Sequence, residues 1–291
     1  MKKGIALLLL CALLGLTGCA AAEEEVSVVA TFYPVYILAE NVLKDVPGVT
    51  LSSMTPPSTG CLHDYQLLTS DMRALGKAKA LLINGAGMES FLPDVTGQFP
   101  ALVVVDCSQG VELIAEEGGH GEWNAHIWLD PQNAVRMVEN LRDGLSALLP
   151  ESDALIQSNA AAYIERLMQL DAELSAAIEA LPGKDIVTFH EAFPYFARAY
   201  GLHVCAVVTT EPDEPISPRM LGSVIRQIRD AGNPPLFSEP QYENSALSTI
   251  AAETGAPVYE LDPLVTGDGS LTAYEDVMRK NLAVLETALG E

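Results

Sequence analysis

Short apolar runs alternate along most of the chain with segments that carry an apolar stripe at helical spacing. Eight short runs bounded by Gly, Pro, Asn or Asp predict buried strands. They are 26–31, 49–54, 80–84, 102–106, 185–189, 204–208, 236–238 and 258–261. Segments between them, such as 34–43, 217–230 and 244–254, predict amphipathic helices. This alternation predicts an α/β fold in which helices flank parallel sheets.

The middle of the chain breaks the alternation. No Gly or Pro occurs from Ser152 to Leu181, and apolar side chains recur there at spacings of 3, 4 and 7 with one wider step. They are Leu155, Tyr163, Ile164, Leu167, Leu170, Leu174 and Ile178. Ser152 fits the N-cap region and Pro182 a stop, so the pattern predicts one helix of about thirty residues, roughly 45 Å long. Such a helix would separate two α/β lobes and join them rigidly.

The first residues have the pattern of a secretory signal peptide. Lys2 and Lys3 precede an apolar run, 5–16, that is too short to span a bilayer. The run ends in Leu16-Thr17-Gly18-Cys19, which resembles the bacterial lipobox, where cleavage leaves a cysteine that carries a lipid. An ordinary cleavage site with a chance Cys is the alternative. We expect Cys19 to anchor the protein to the outer face of the bacterial cell membrane.

These patterns divide the chain into five segments. Residues 1–18 form the lipoprotein signal peptide, and the small, acidic residues 19–25 form a tether. Residues 26–150 and 183–291 form the N-terminal and C-terminal α/β lobes, and residues 151–182 form the linking helix.

The charge balance excludes some partners. The chain has 16 Lys and Arg against 39 Asp and Glu, a formal net charge of −23 at pH 7. A surface this acidic repels nucleic acid and anionic lipid, so neither is an expected partner. The acidity would suit a protein that collects cations, although a solvated soluble surface explains the same composition.

Three cysteines remain once Cys11 leaves with the signal peptide and Cys19 carries the lipid. They are Cys61, Cys107 and Cys205. Outside the cytoplasm two of them could form a disulfide. Cys61 and Cys107 each follow a predicted strand of the first lobe, so we expect this pair first, although sequence alone does not fix connectivity.

Three histidines and one aspartate are candidate metal ligands. His63 follows the second predicted strand, and Asp262 ends the eighth. His190 follows the fifth strand and opens a helix that is predicted to begin at Glu191. In open α/β sheets, ligands bind outside the carboxyl ends of strands. With His126, these residues would supply three imidazoles and one carboxylate, a set that Zn²⁺ accepts. Four protein ligands leave no open position, which favours holding a metal over activating a water molecule.

Six segments stand out in order along nearly the whole mature chain. They are Thr31-Phe32-Tyr33-Pro34, Gly60-Cys61-Leu62-His63-Asp64-Tyr65 followed by Ser70-Asp71, His126-Ile127-Trp128-Leu129-Asp130-Pro131, Phe189-His190-Glu191-Ala192-Phe193-Pro194-Tyr195-Phe196, Ser238-Glu239-Pro240-Gln241 and Glu260-Leu261-Asp262-Pro263-Leu264. Together they resemble the zinc and manganese solute-binding proteins of ABC importers, the family that contains the ZnuA and TroA types. The resemblance implies two lobes bridged by one long helix, a single metal in the cleft, and delivery to a membrane permease. It assigns the four candidates as the ligands, and we expect a monomer.

The residue type at the third ligand position distinguishes the zinc-binding from the manganese-binding members of this family. Manganese-type members place a carboxylate there, whereas this chain has His190, and imidazole favours Zn²⁺. The chain departs from many zinc members in its loop 116–123, which is short and holds one histidine, His120. Leu62 precedes His63, so no carboxylate ligand comes from that position. Glu239 would orient a ligand histidine, with helix capping as the alternative. We expect Trp128 to be a core residue and His203 to be a surface residue.

An extracytoplasmic zinc hydrolase is the main competing class. It would need an open coordination position and a general base, often in an H-E-x-x-H helix. Here His190-Glu191 is followed by Ala192, Phe193 and Pro194, and no G-x-S-x-G segment occurs. A manganese-binding homologue and a surface adhesin of the same fold are two further hypotheses. The sequence therefore predicts a zinc-capturing importer subunit that is not an enzyme.

Overall fold

The computed structural model describes residues 25–56, 62, 65–116, 122–209, 216–241 and 245–290. Every predicted strand is present in these ranges, and each strand end lies within one residue of its expected position. The strands are β1 Val26–Ala30, β2 Val49–Ser53, β3 Ala80–Ile83, β4 Val103–Asp106, β5 Asp185–His190, β6 His203–Thr209, β7 Leu236–Ser238 and β8 Val258–Glu260.

Helices follow most of the strands. They are α1 Tyr33–Val42, α2 Thr69–Leu75, α3 Leu92–Gln98, α4 Pro131–Leu148, α5 Asp153–Glu179, α6 Pro194–Tyr200, α7 Pro218–Asp230, α8 Ser245–Thr254 and α9 Ala273–Leu289. Several begin with a proline, whose missing N–H would have no partner in the first turn anyway. The prediction that a helix opens at Glu191 was wrong: α6 starts at Pro194, because a residue before proline disfavours helical backbone. None of the described helices is long and apolar enough to cross a membrane.

Two parallel sheets share one topology. Their strand orders are β2-β1-β3-β4 and β6-β5-β7-β8, and every pairing is parallel. In each sheet the order reverses between the two central strands, β1 and β3 in the first and β5 and β7 in the second. Crevices at the carboxyl ends of such strand pairs are where open α/β sheets bind ligands. The topology therefore marks two sheet edges as candidate binding positions.

The long helix is confirmed as α5, with 27 residues and a length of about 40 Å. Its buried stripe is Ile156, Ala160, Tyr163, Leu167, Leu170, Leu174 and Ile178. Leu155, which the sequence placed in this stripe, is exposed. Each residue turns a helix by about 100°. Ala160 lies three residues before Tyr163 and Ile156 lies four residues before Ala160, so both continue the stripe, whereas Leu155 lies to one side.

One hydrophobic core runs through both halves of the fold. It includes the stripe of α5, the buried faces of α1, α4, α6 and α9, and one face of each sheet. Val28 and Ala30 of β1 point into this core, while Val29 points to a smaller cluster on the opposite face. Because successive strand residues face opposite sides, each sheet is covered on both faces. The shared core fixes the two sheets relative to each other.

Arg166 of α5 adds a polar connection between the halves. Its Nε donates to Glu275 Oε1 on α9 at 2.7 Å, and its Nη2 donates to Asn41 Oδ1 on α1 at 2.5 Å and to the Leu271 carbonyl at 3.0 Å. The Glu275 side chain is only 4% exposed. Arg166 is therefore the cation that stabilises a buried carboxylate next to the linking helix.

We predict that Arg166→Met lowers the free energy of unfolding by about 2–3 kcal/mol, because it leaves the Glu275 carboxylate buried and unpaired. Arg279→Met is the matched control. Arg279 pairs with Glu173 across the same two helices, but their side chains are 46% and 44% exposed. An exposed pair contributes at most about 1 kcal/mol. Urea unfolding followed by circular dichroism measures the free energy of unfolding of both variants. Equal losses of stability would contradict the role of Arg166 in stabilising buried Glu275.

Candidate metal centre

His190 occupies the carboxyl end of β5 and is fully buried. Thr188 pairs with Phe237 of β7, so two positions further on His190 lies beside Glu239, which directly follows β7. The His190 Nδ1 and Glu239 Oε1 atoms are 2.6 Å apart. Glu239 is also buried, and its Oε2 has no hydrogen-bond partner among the described residues.

This contact determines which nitrogen of the His190 imidazole carries the proton. A carboxylate accepts and cannot donate, so Nδ1–H of His190 donates to Glu239 and leaves the lone pair on Nε2. Histidines that bind metals are held in this way by a carboxylate on the second nitrogen. Glu239 is thus placed to orient His190, and its role beside a metal-binding histidine stays a prediction.

His126 precedes a short 3₁₀ turn, Ile127–Leu129, and is buried. Its backbone N–H donates to Asn124 Oδ1 at 3.0 Å, and its Nδ1 lies 3.3 Å from the same oxygen. Asn124 in turn donates through Nδ2 to the Glu191 carbonyl at 2.7 Å, and its own carbonyl accepts from the Tyr195 hydroxyl at 2.8 Å. These bonds tie the loop that carries His126 to the loop that follows His190.

The two imidazoles meet. His126 Nε2 and His190 Nε2 are 3.1 Å apart, and the ring centroids are 4.8 Å apart at an interplanar angle of 71°. Two nitrogen ligands on a tetrahedral zinc, each about 2.0–2.1 Å from the metal, are about 3.3–3.4 Å apart. The pair therefore already has nearly the separation that one shared metal ion requires.

Asp262 lies two residues beyond β8, at the same sheet edge. It is half-buried, and its Oδ1 accepts from Gln241 Nε2 at 3.0 Å and from the Leu264 N–H at 2.8 Å. Within the described residues, the ligand atoms of His126, His190 and Asp262 do not all lie within 4.8 Å of one another. The structure thus brings the two histidines together, and Asp262 follows strand β8 of the sheet that carries His190.

Trp128 connects the first histidine loop to the Asp262 loop. Its indole Nε1 donates to the Pro263 carbonyl at 2.8 Å, and its own carbonyl accepts from the Tyr274 hydroxyl at 2.7 Å. The ring is fully buried and packs edge-on against Phe32 at 5.2 Å. The expectation that Trp128 is a core residue is confirmed, and its position fixes the spacing of the two loops.

Several predicted residues lie outside the described residues. They are His63, His120, Cys19 and Cys61. Cys107 is fully buried with a free thiol, and burial raises the pKa of that thiol well above its usual value. Its pairing with Cys61 stays a prediction.

A buried carboxyl, which the sequence did not reveal, supports the first sheet edge. Glu89 Oε1 accepts from the Thr31 hydroxyl and the Asn84 N–H, both at 2.8 Å, and Oε2 accepts from the Gly85 N–H at 3.0 Å. Thr31 and Asn84 directly follow the central strands β1 and β3. Asn84 Nδ2 also donates to the Ala125 carbonyl at 2.9 Å, next to His126. Burial raises the pKa of Glu89 to about 7, against the lowering effect of these hydrogen bonds.

Two parallel sheets of one topology, bridged by a long helix and with buried imidazoles at their carboxyl edges, define the class of two-lobed solute-binding proteins. Residues 28–288 match the family model described as zinc-uptake complex component A, periplasmic, and the chain belongs to this family.

The chain is also similar to named proteins and to solved structures. The chain is 31% identical to the zinc-binding lipoprotein AdcA of Streptococcus pneumoniae over 98% of its own length and 61% of that protein, so it spans less than two thirds of this relative. It resembles the crystal structure of Zn(II)-bound AdcA from the same organism with a TM-score of 0.79 and 27% identity, covering 92% of this chain and 58% of that one. A mutant of the laminin-binding adhesin Lmb from Streptococcus agalactiae matches with a TM-score of 0.83 and 25% identity over 91% and 99% of the two chains.

The pKa of Glu89 predicts a pH dependence of stability. Because this pKa is raised from 4.5 to about 7, the folded protein keeps a proton that the unfolded chain has released. The resulting stabilisation is complete below about pH 4.5 and is lost as the pH rises through about 7. As the pH rises across that window, the free energy of unfolding of Glu89→Gln should increase by about 3 kcal/mol relative to that of the native chain.

Urea unfolding at pH 4.5, 6 and 7.5 measures this difference, and its change with pH is the readout. Thr31→Val removes a hydrogen bond that lowers the pKa of Glu89, so it should move the loss of stability to higher pH. A difference between Glu89→Gln and the native chain that stays constant with pH would contradict the prediction.

Proposed function

We propose that this chain is the extracytoplasmic zinc-binding subunit of an ABC importer, which captures Zn²⁺ between its lobes and delivers it to a membrane permease. The 3.1 Å contact between His126 Nε2 and His190 Nε2 carries the proposal. Membership of the zinc-uptake family and the likeness to a Zn(II)-bound structure support it. Zinc is the cargo of this protein, so it must be held firmly and later released.

The proposed ligands are His63, His126, His190 and Asp262. The Nε2 atoms of His126 and His190 are already 3.1 Å apart, and Asn124 and Glu239 contact the Nδ1 atoms of the two rings. Asp262 would complete the set by a small approach from the neighbouring loop, whose position Trp128 links to His126. Four protein donors leave no position for a reactive water, so the proposal is a carrier and not a hydrolase.

Zinc is favoured over manganese because the paired ligands are imidazoles, whereas Mn²⁺ is better served by carboxylate-rich sites. Adhesion is the second candidate function, and the likeness to the adhesin Lmb is the observation behind it. Deletion of the gene separates the two: an importer subunit is required for growth in low zinc, whereas an adhesin alone is not.

The proposed ligand set predicts how zinc affinity responds to substitution. Zinc titration of chelator-stripped protein against a competing chelator should show one tight site. His126→Ala and His190→Ala should each weaken it by more than about 100-fold, because even an outer partner of a metal ligand costs 10–100-fold when removed. Glu239→Gln should fall within that 10–100-fold range.

His120→Ala is the control and should leave the affinity unchanged, because this histidine is not in the proposed ligand set. Full affinity in His126→Ala, or two equally tight sites in the native chain, would require a different site.

The proposed lipid anchor is tested separately. We propose that Cys19 carries a lipid and that residues 19–25 tether the fold to the outer face of the cell membrane. Cys19→Ala should release the protein into the soluble fraction with unchanged zinc affinity, because the tether separates the anchor from the metal site. Cys11→Ala lies within the signal peptide and should stay membrane-bound. Membrane retention of Cys19→Ala after cell fractionation would point to another attachment.

A further inference from the structure

A second group of metal-ligating side chains lies at the opposite end of the C-terminal sheet. Asp185 is the first residue of β5, and His203 and Cys205 are the first and third residues of β6. Their ligand atoms all lie within 4.8 Å of one another. His190 ends the same strand β5, about 16 Å further along at 3.3 Å per residue. The group is therefore separate from the metal centre described above.

Sheet register brings these three residues together. Asp185 pairs directly with His203, so their side chains leave the sheet on the same side. Residues two apart on a strand share a face, which places Cys205 beside His203. The register shifts between Ile186 and Val187, where Cys205 is the extra residue on β6. Such bulges often re-aim a side chain.

The distances match a coordination shell. His203 Nδ1 is 3.1 Å from Asp185 Oδ1 and 3.4 Å from Cys205 Sγ. In a tetrahedral zinc site, nitrogen and oxygen ligands are about 3.3 Å apart, and nitrogen and sulfur ligands about 3.5 Å apart, given the usual bond lengths. The side chains of His203 and Asp185 are 73% and 56% exposed, so a cation can reach them from solvent.

We propose that Asp185, His203 and Cys205 form a second metal site, on the surface of the C-terminal lobe, for Zn²⁺ or a similar borderline to soft divalent cation. One thiolate, one imidazole and one carboxylate are ligands that zinc accepts and that magnesium or calcium do not select. Binding displaces the thiol proton of Cys205 to solvent. Three protein ligands leave the fourth position to water, so this site exchanges its metal more readily than a closed one.

Cobalt(II) is the probe, because a thiolate ligand gives it a near-ultraviolet charge-transfer absorption that imidazole and carboxylate ligands do not. The full chain, reduced and stripped of metal, should show this absorption on cobalt addition. Cys205→Ser should abolish it, and His203→Gln should abolish or strongly weaken it. Cys61→Ser, which removes a thiol near the proposed ligand His63, should retain it.

Equilibrium dialysis gives the second measurement. Zinc stoichiometry should fall from two to one in Cys205→Ser, with the fold checked by circular dichroism. The variant His126→Ala/His190→Ala should keep the cobalt absorption, so this site is tested even if the proposed zinc cargo is wrong. Absorption that survives Cys205→Ser, or native protein that binds only one zinc, would show that the three side chains are only hydrogen-bonded surface residues.

Discussion

Two imidazole nitrogens that face each other at 3.1 Å with their lone pairs directed inward repel unless a proton or a metal ion lies between them. In His126 and His190 this contact is fully enclosed, and the nearby polar groups fix both rings. Glu239 Oε1 accepts a hydrogen bond from Nδ1–H of His190, and Asn124 Oδ1 lies next to Nδ1 of His126. The rest of the site depends on this pair, because it sets where a cation gains most from binding.

Holding an imidazole from the C-terminal sheet and one from the loop before α4 at that separation requires a stiff frame. The single core that passes through α5 and both sheets supplies it, and Trp128 and Asn124 tie the connecting loops across the boundary. A frame of this kind limits rearrangement to short loops, such as the one that carries Asp262. Completion of the proposed ligand set would then be a local movement and not a rotation of lobes about a flexible hinge.

Much of this fold can be predicted from the sequence, because fully buried parallel strands are short apolar runs and α5 is a long stretch without Gly or Pro. The meeting of His190 and Glu239 does not follow in this way, because it depends on the strand order that places β5 beside β7. Other contacts depend on tertiary bonds that leave no local pattern. Glu89 looks like any surface carboxylate until its hydrogen bonds to Thr31 and Asn84 are seen.

The cluster of Asp185, His203 and Cys205 also depends on tertiary structure that the sequence does not predict. His203 is exposed, as expected of a surface residue, but its neighbour Asp185 is 18 residues away in the chain. Only the register of β5 and β6, with its bulge, brings them together with Cys205. The exposed apolar residue Leu155 is the converse case, where local spacing alone was misleading because the stripe passes through Ile156.

Zinc X-ray absorption spectroscopy with one equivalent of metal tests the central claim most directly. We predict only nitrogen and oxygen ligands, at about 2.0–2.2 Å, with the outer-shell scattering of several imidazole rings. A sulfur ligand at about 2.3 Å, or a spectrum without imidazole, would contradict a site built on His126 and His190.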